Sequence, residues 1–301
     1  MKREQNTQLI NTIIQEYLNT PEEQRSLTKL SEAYGVSRQT ISKWLKNRGI
    51  EVINYQNRSR LDEHVFDSID TEEKAYWLGF LFADGNISHT GNRLEVRLSI
   101  NDLSHLEKFR KFLRLTTEIR TGICDGKGFC HLSVRNKHLW HTLDSLGCHP
   151  RKSLILEFPN FSIFSDIKLI KHFIRGYVDG DGCLTIYKGR NSYRTEVNLV
   201  GTEKFLTVVR RLFYDEGYIH NKSCTNWDNK AYSLVFSDLP SRKIARLLYE
   251  KATIYLERKY NKYLEFCRLE EESSRRKSSK IGEDWDVNTE IIEESKNSSI
   301  L

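Results

Sequence analysis

Residues 173–187 read FIRGYVDGDGCLTIY, an apolar helical stretch that runs without a linker into a strand. The helix closes on Asp179 and Asp181, interleaved with Gly180 and Gly182. A carboxylate at a helix C-terminus lies against the negative end of the macrodipole, where Lys or Arg would be favoured. The negative charge therefore answers to something other than helix stability.

The same device occurs earlier in the chain. In AYWLGFLFADGNIS, residues 75–88, Gly79 aligns with Gly176, Asp84 with Asp181 and Gly85 with Gly182, each pair 97 residues apart, a repeat that organises everything around it. Each copy is followed by a hairpin (LEVRLSI, then RTEVNLVG), a helix (LEKFRKFL, then KFLTVVRRLF), further strands (FCHLSVRN, then AYSLVFSD) and helical segments ending near RKSLIL and RKYNKY. This order predicts an α+β fold of two pseudo-symmetric αββαββα repeats, over 73–163 and 164–269.

Glycine inside a helix costs about 1 kcal/mol relative to alanine, and close contact between helices offsets that cost. If the two motif helices pack through Gly79 and Gly176, Asp84 and Asp181 emerge together at one end. Two carboxylates there repel each other and oppose both dipoles unless divalent cations bridge them. Metal binding by Asp84 and Asp181 supplies the missing reason for the charge.

Within LEVRLSI, Leu94, Val96, Leu98 and Ile100 alternate with Glu95, Arg97 and Ser99, so one sheet face is apolar and the other, carrying Arg93 and Arg97, is polar. The second hairpin carries Lys188, Arg190, Asn191 and Arg194 around its turn. Two such basic, strand-built surfaces could straddle a duplex and reach its major groove; ordinary solvated strands are the alternative for any one of these residues.

The first fifty residues read as three short helices, with Ser26 and Ser37 as N-caps and Gly35 at a tight turn. Leu30, Ala33, Val36, Ile41, Trp44 and Leu45 supply one shared core, the pattern of a helix-turn-helix domain over 1–50. On the third helix Arg38, Gln39, Thr40, Ser42, Lys43 and Lys46 fall away from that core. Arg and Gln suit base edges, Lys and Ser suit phosphates, whereas a small protein-binding bundle would leave the same face merely solvated. Residues 51–72 read as a partly ordered connector. Twenty residues of it, 51–70, extend at most ~70 Å, or about two duplex turns of ~34–36 Å.

Charge agrees with a polyanionic partner. The stretch 270–301 holds nine Asp/Glu against five Lys/Arg, a net of −4, so the overall +6 leaves +10 on residues 1–269. That C-terminal stretch, charged and rich in serine, reads as a flexible tail. No apolar run is long enough to span a bilayer and MKREQNTQLI lacks the apolar core of a signal peptide, which predicts a cytoplasmic protein. Six scattered cysteines without zinc spacing read as reduced structural thiols. His138 and His141, at i and i+3, suggest a metal site only weakly, without an accompanying set of acidic or cysteine ligands, and read as surface histidines.

WLGFLFADG and IRGYVDGDG resemble the paired motifs of LAGLIDADG homing endonucleases in their single-chain, two-repeat form, and the likeness spans roughly 73–267. The resemblance implies a DNA-binding saddle. It also implies a monomer that cuts both strands of a double-stranded DNA site, with Mg²⁺ (or Mn²⁺) held by the acidic residue at the eighth motif position, here Asp84 and Asp181. It further implies a basic residue late in each repeat acting on the catalytic waters, placed by RKSLIL and ERKYNKY at Lys152 and Lys259. The spacings differ, 68 residues from Asp84 to Lys152 and 78 from Asp181 to Lys259, so Lys262 is an alternative. The sixth motif position, usually structural, is Asp179 in one copy and Phe82 in the other. Asp102 matches by position a polar residue behind the family's metal site, or else caps the following helix. Cuts facing each other across the minor groove, about 6 Å wide, leave short 3′ overhangs. The competing readings are a DNA-binding regulator without chemistry and an RNA intron maturase on the same scaffold. The start at Met1 and the lack of flanking splice-type blocks argue against an intein.

Overall fold

The computed structural model describes residues 2–21, 25–52, 61–189, 193–219, 225–227 and 231–272. The chain divides into two compact units, Met1–Asp62 with Arg114–Thr117, and the remainder.

In the smaller unit three helices form, α1 (Lys2–Asn19), α2 (Leu27–Tyr34) and α3 (Arg38–Lys46). Ser26 and Ser37 each accept a backbone N–H of the helix they precede, and Gly35 ends α2 at φ 64°, a left-handed turn open to glycine. Ile13, Ile14 and Tyr17 of α1 close over Leu30, Ile41 and Leu45, with Val36, Trp44, Ile50 and Val52 packed at the edge. Ala33 departs from the sequence reading: it is exposed, because α1 covers the other side of α2.

The larger unit contains the repeat twice. The first copy runs α4 (Glu72–Asp84), β1 (Gly85–Ser88), β2 (Arg93–Ser99), α5 (Leu103–Phe112), β3 (Arg120–Cys124), β4 (Lys127–Arg135), α6 (Lys137–Ser145). The second runs α7 (Ile170–Asp181), β5 (Gly182–Lys188), β6 (Tyr193–Gly201), α8 (Glu203–Asp215), β7 (Thr225–Trp227), β8 (Ala231–Ser237), α9 (Leu239–Tyr249), and a last helix, α10, covers 257–272. The sheets are antiparallel with matching orders, β1-β2-β4-β3 and β5-β6-β8-β7. Register sorts their faces: Leu94 pairs with Val134 and Val96 with Leu132 on the buried side, while Arg97 pairs with His131 and Glu95 with Ser133 on the other.

Helices α4 and α7 are the packed centre. A methyl group on Gly79 would lie 1.9 Å from the Phe173 carbonyl oxygen, and one on Gly176 would lie 1.9 Å from that of Tyr76, so the two backbones touch where the repeat places glycine. An unbroken run of α4, Ala75 to Phe82, is buried, with α7 against one side and Trp77 packed on His105 and Phe109 of α5 on another. At the far end the buried Arg175 guanidinium donates to Glu72 Oε1 at 2.7 Å and to the Leu248 and Ile254 carbonyls, which joins α4 and α7 to the last turn of α9 and the chain that follows it.

Two boundaries shift from the sequence reading. Residues 63–70 are part of the larger unit rather than connector, because Val65, Phe66 and Ile69 are buried there. Residues 270–272 of the expected tail are helical, since α10 continues to residue 272, and the rest of that stretch, 273–301, lies outside the described residues. Of the cysteines, Cys130 and Cys148 are buried but Cys124 and Cys183 are exposed, so the latter two are not core thiols. Among the described residues no helix is long and apolar enough to cross a membrane.

Gly176→Ala or Gly79→Ala forces a methyl group into backbone that cannot rotate away. Each is expected to cost about 3 kcal/mol or more in urea denaturation. The double variant should cost less than the sum, since one separation of the helices relieves both clashes.

Candidate active site

Asp84 and Asp181 are the last residues of α4 and α7. A methyl group built on Gly180 would meet the Ala83 side chain at 2.3 Å and Asp84 Oδ2 at 3.3 Å, so the Asp84 carboxylate lies against the final turn of the opposite helix. Asp84 is half-buried and Asp181 exposed. Among the described residues neither carboxylate has a hydrogen-bond or ion-pair partner, although each also faces the negative end of its own helix. Burial pushes Asp84 up to about 6, the Asp181 charge adds to the rise, and Lys259, Lys152 and Arg258 hold it back. Burial raises Asp181 as well, opposed by Lys152 and Lys259.

Positive charge at the helix ends is supplied from elsewhere in the chain. Lys259, at the start of α10, is buried, and its Nζ donates to the carbonyls of Val178 at 2.5 Å, Asp179 at 2.6 Å and Gly182 at 2.8 Å, with Gly180 more distant at 3.3 Å. The ammonium thus gathers carbonyls of the last turn of α7 and the first carbonyl of β5, which places a cation at the negative end of the helix. Lys152 reaches the matching place after α4 and donates to Gly85 O, the first carbonyl of β1 and the counterpart of Gly182. Burial lowers Lys259 to about 8, countered by Asp179, so it remains largely charged at neutral pH. The unequal spacing accumulates along the second repeat, whose first hairpin and α9 are longer than their counterparts, and the two lysines end in different local structures, Lys152 in a short 3-10 turn and Lys259 in an α-helix. Lys262, the alternative, pairs with Glu265 at 2.8 Å.

Asp179 is fully buried. It accepts hydrogen bonds from Tyr249 OH at 2.6 Å, Tyr76 OH at 2.6 Å and the Leu256 amide at 2.7 Å. Burial raises its carboxyl, opposed by the Lys259 charge and these hydrogen bonds. Its counterpart Phe82 packs edge-on against Phe173, ring centroids 5.0 Å apart. Asp102 precedes α5 without a capping hydrogen bond and instead receives Arg258 Nε at 3.2 and 3.3 Å. Sequence reading missed Arg258, Tyr76 and Tyr249. The Arg-Lys pair shared by RKSLIL and ERKYNKY was the available signal for the first, and nothing local marks the tyrosines.

The residues expected to contact DNA divide. Arg38, Gln39 and Lys43 are exposed on α3, while the Thr40 hydroxyl is tied to Ser37 Oγ at 2.8 Å. Arg97 lies on the open face of the first sheet, its guanidinium 3.9 Å from the centre of the Phe129 ring, and Arg93 beside it pairs with Glu95 at 3.2 Å. Register adds Arg120, Lys127 and Arg135, all exposed, to that face. In the second sheet Arg194 is engaged by Asp238, with Nε to Oδ1 at 2.8 Å. Lys188 pairs with Tyr193 in the register that holds Leu184 and Ile186, so it departs from the polar face of Arg194, though it is exposed at the strand end. Arg190 and Asn191 lie outside the described residues.

A carboxyl raised by folding contributes stability below its ordinary pKa, near 4, and loses it as pH climbs through the folded value. Asp84→Asn is therefore expected to stabilise the protein at about pH 7.5, by up to about 3 kcal/mol for a shift of this size. The gain should vanish by about pH 4, as read from thermal melts across that range without metal.

The sequence matches no family model and no curated protein. Among solved structures it is similar to the LAGLIDADG meganuclease I-AabMI bound to uncleaved DNA, with 13% identity over 67% of this chain and 91% of that one, at a TM-score of 0.45. It is likewise similar to the meganuclease I-SmaMI bound to uncleavable DNA, with 11% identity, coverage of 64% and 88%, and a TM-score of 0.44. A third is the LAGLIDADG homing endonuclease I-GzeII in complex with its DNA target, with 15% identity, coverage of 68% and 91%, and a TM-score of 0.41.

Proposed function

We propose that this chain is a site-specific double-strand DNA endonuclease of the LAGLIDADG homing type, acting as a monomer. The observation that carries the reading is the meeting of Asp84 and Asp181 at two adjoining helix ends, without a partner among the described residues. Carboxylate oxygens in a strained electrostatic position suit a hard cation such as Mg²⁺ (or Mn²⁺). When bound, such an ion activates water and neutralises charge on a phosphoryl oxygen.

The chain's own residues set the rest. Asp84 and Asp181 hold ligand oxygens on each side of the pseudo-dyad, one for each strand. Lys152 and Lys259 fix the helix ends behind the carboxylates and lower the cost of ionising them. The open face of the first sheet, with Arg97, Arg120, Lys127 and Arg135, provides phosphate or base contacts. Both scissile phosphates then face one another across the minor groove, about 6 Å wide, and the products carry short 3′ overhangs. The α3 face with Arg38, Gln39 and Lys43 is a second DNA-reading module of helix-turn-helix type.

Asp84→Asn and Asp181→Asn are expected to abolish double-strand cleavage of a plasmid library in Mg²⁺, while specific binding in Ca²⁺ survives. Full cleavage by the double variant would sink the mechanism in favour of a non-catalytic DNA-binding regulator.

Residues 53–62, ten in number, extend at most ~35 Å, about one duplex turn. Removing residues 1–50 should shorten the footprint on one flank by no more than about one turn and flatten the salt dependence of binding. Cleavage should continue at the same phosphates.

A further inference from the structure

Away from the helix ends, a second cluster of donor groups has a different chemistry. The turn His64-Val65-Phe66-Asp67 buries Val65 and Phe66, which leaves His64 and Asp67 directed outward together. Asn136, the N-cap of α6, donates to Glu63 Oε2 and fixes this turn beside the first turn of that helix, where His138 stands. As a result Asp67 receives two imidazoles, His64 Nδ1 on Oδ2 at 2.7 Å and His138 Nε2 on Oδ1 at 2.7 Å, with the ring centroids 4.4 Å apart. His138 reads as a surface histidine from its own neighbourhood, and the fold brings it Asp67 from 71 residues away.

We propose that His64, Asp67 and His138 form a binding site for a late first-row divalent cation, Zn²⁺ foremost, that clamps residues 63–70 to α6. One ligand atom from each residue lies within 4.8 Å of the others. Tetrahedral zinc with bonds of about 2.0–2.2 Å separates its ligand atoms by roughly 3.3 Å, so the present 2.7 Å contacts need open by only about 0.6 Å. A neutral imidazole that now donates to Asp67 moves its proton to the other ring nitrogen and turns the freed lone pair to the metal, with no net proton change. His64 Nε2 then faces Glu63 Oε1, now 3.7 Å away, the carboxylate-histidine-metal arrangement that orients a ligating ring. Water completes the coordination on the exposed side. Two nitrogens and one oxygen favour Zn²⁺ over Mg²⁺, whereas the all-oxygen pair Asp84 and Asp181 favours the reverse, so the two sites are separable by metal.

The test uses the full-length protein freed of metal by chelation and then held in excess Mg²⁺ while Zn²⁺ is titrated. Zn²⁺ is expected to raise the melting temperature of the wild type but not of His64→Ala or His138→Ala. Asp67→Asn should weaken Zn²⁺ binding about tenfold or more. Co²⁺ in place of Zn²⁺ should give a visible ligand-field band that both histidine variants lose, without the intense near-ultraviolet band of thiolate ligation. Melts in chelator alone report any loss of fold caused by the substitutions themselves. An equal Zn²⁺ shift in wild type and both histidine variants, or none in the wild type, would overturn the proposal and leave the three residues a hydrogen-bonded triad only.

Discussion

Backbone contact between α4 and α7 is the constraint from which the other features follow. At Gly79 and Gly176 neither helix has room for a single methyl group. A crossing this tight aligns the helices in depth as well as angle, so their last residues arrive together. Were the helices separated by the usual 8–10 Å, Asp84 and Asp181 would no longer share one environment, and the paired rise in their pKa values would relax.

Bringing two helix C-termini together concentrates negative potential, and the protein answers it from behind. Lys259 and Lys152 are buried cations that hydrogen-bond backbone carbonyls at the helix-to-strand junctions rather than the carboxylates directly. That division leaves Asp84 and Asp181 free to present oxygens outward while the backbone beneath them is satisfied. A lysine paired directly to either aspartate would lower its pKa further, but it would occupy the ligand oxygens.

The pseudo-symmetry breaks where the two copies meet other parts of the chain. Phe82 packs into an aromatic contact with Phe173, whereas Asp179 at the matching position gathers Tyr76, Tyr249 and the Leu256 amide. Tyr76 comes from the first copy and Tyr249 from the second, so this buried carboxylate joins both halves. The loss of a hydrogen-bond partner to such a group is costly, which makes the junction specific. Asp102 and Arg258 form a second link of the same kind, between the start of α5 and α10.

The sequence by itself determined the repeat, the α+β order, the alternation that sorts sheet faces, and the meeting of Asp84 with Asp181. Each depends on local periodicity or on a glycine whose only rationale is close approach. Tertiary structure alone decided what each charged group does. Arg194 and Arg97 have the same polar-face pattern, yet one is engaged by Asp238, 44 residues on, and the other stacks on Phe129, 32 residues on. Lys259 and Lys262 are one helical turn apart, and only the packing of α10 beneath α7 sends the first inward. Residues 63–70 look like linker because their polar residues interrupt any period, but Phe66 and Ile69 find a core made by distant helices. Charged and polar side chains are placed by partners far away in sequence, and no local pattern encodes a partner that only folding brings near.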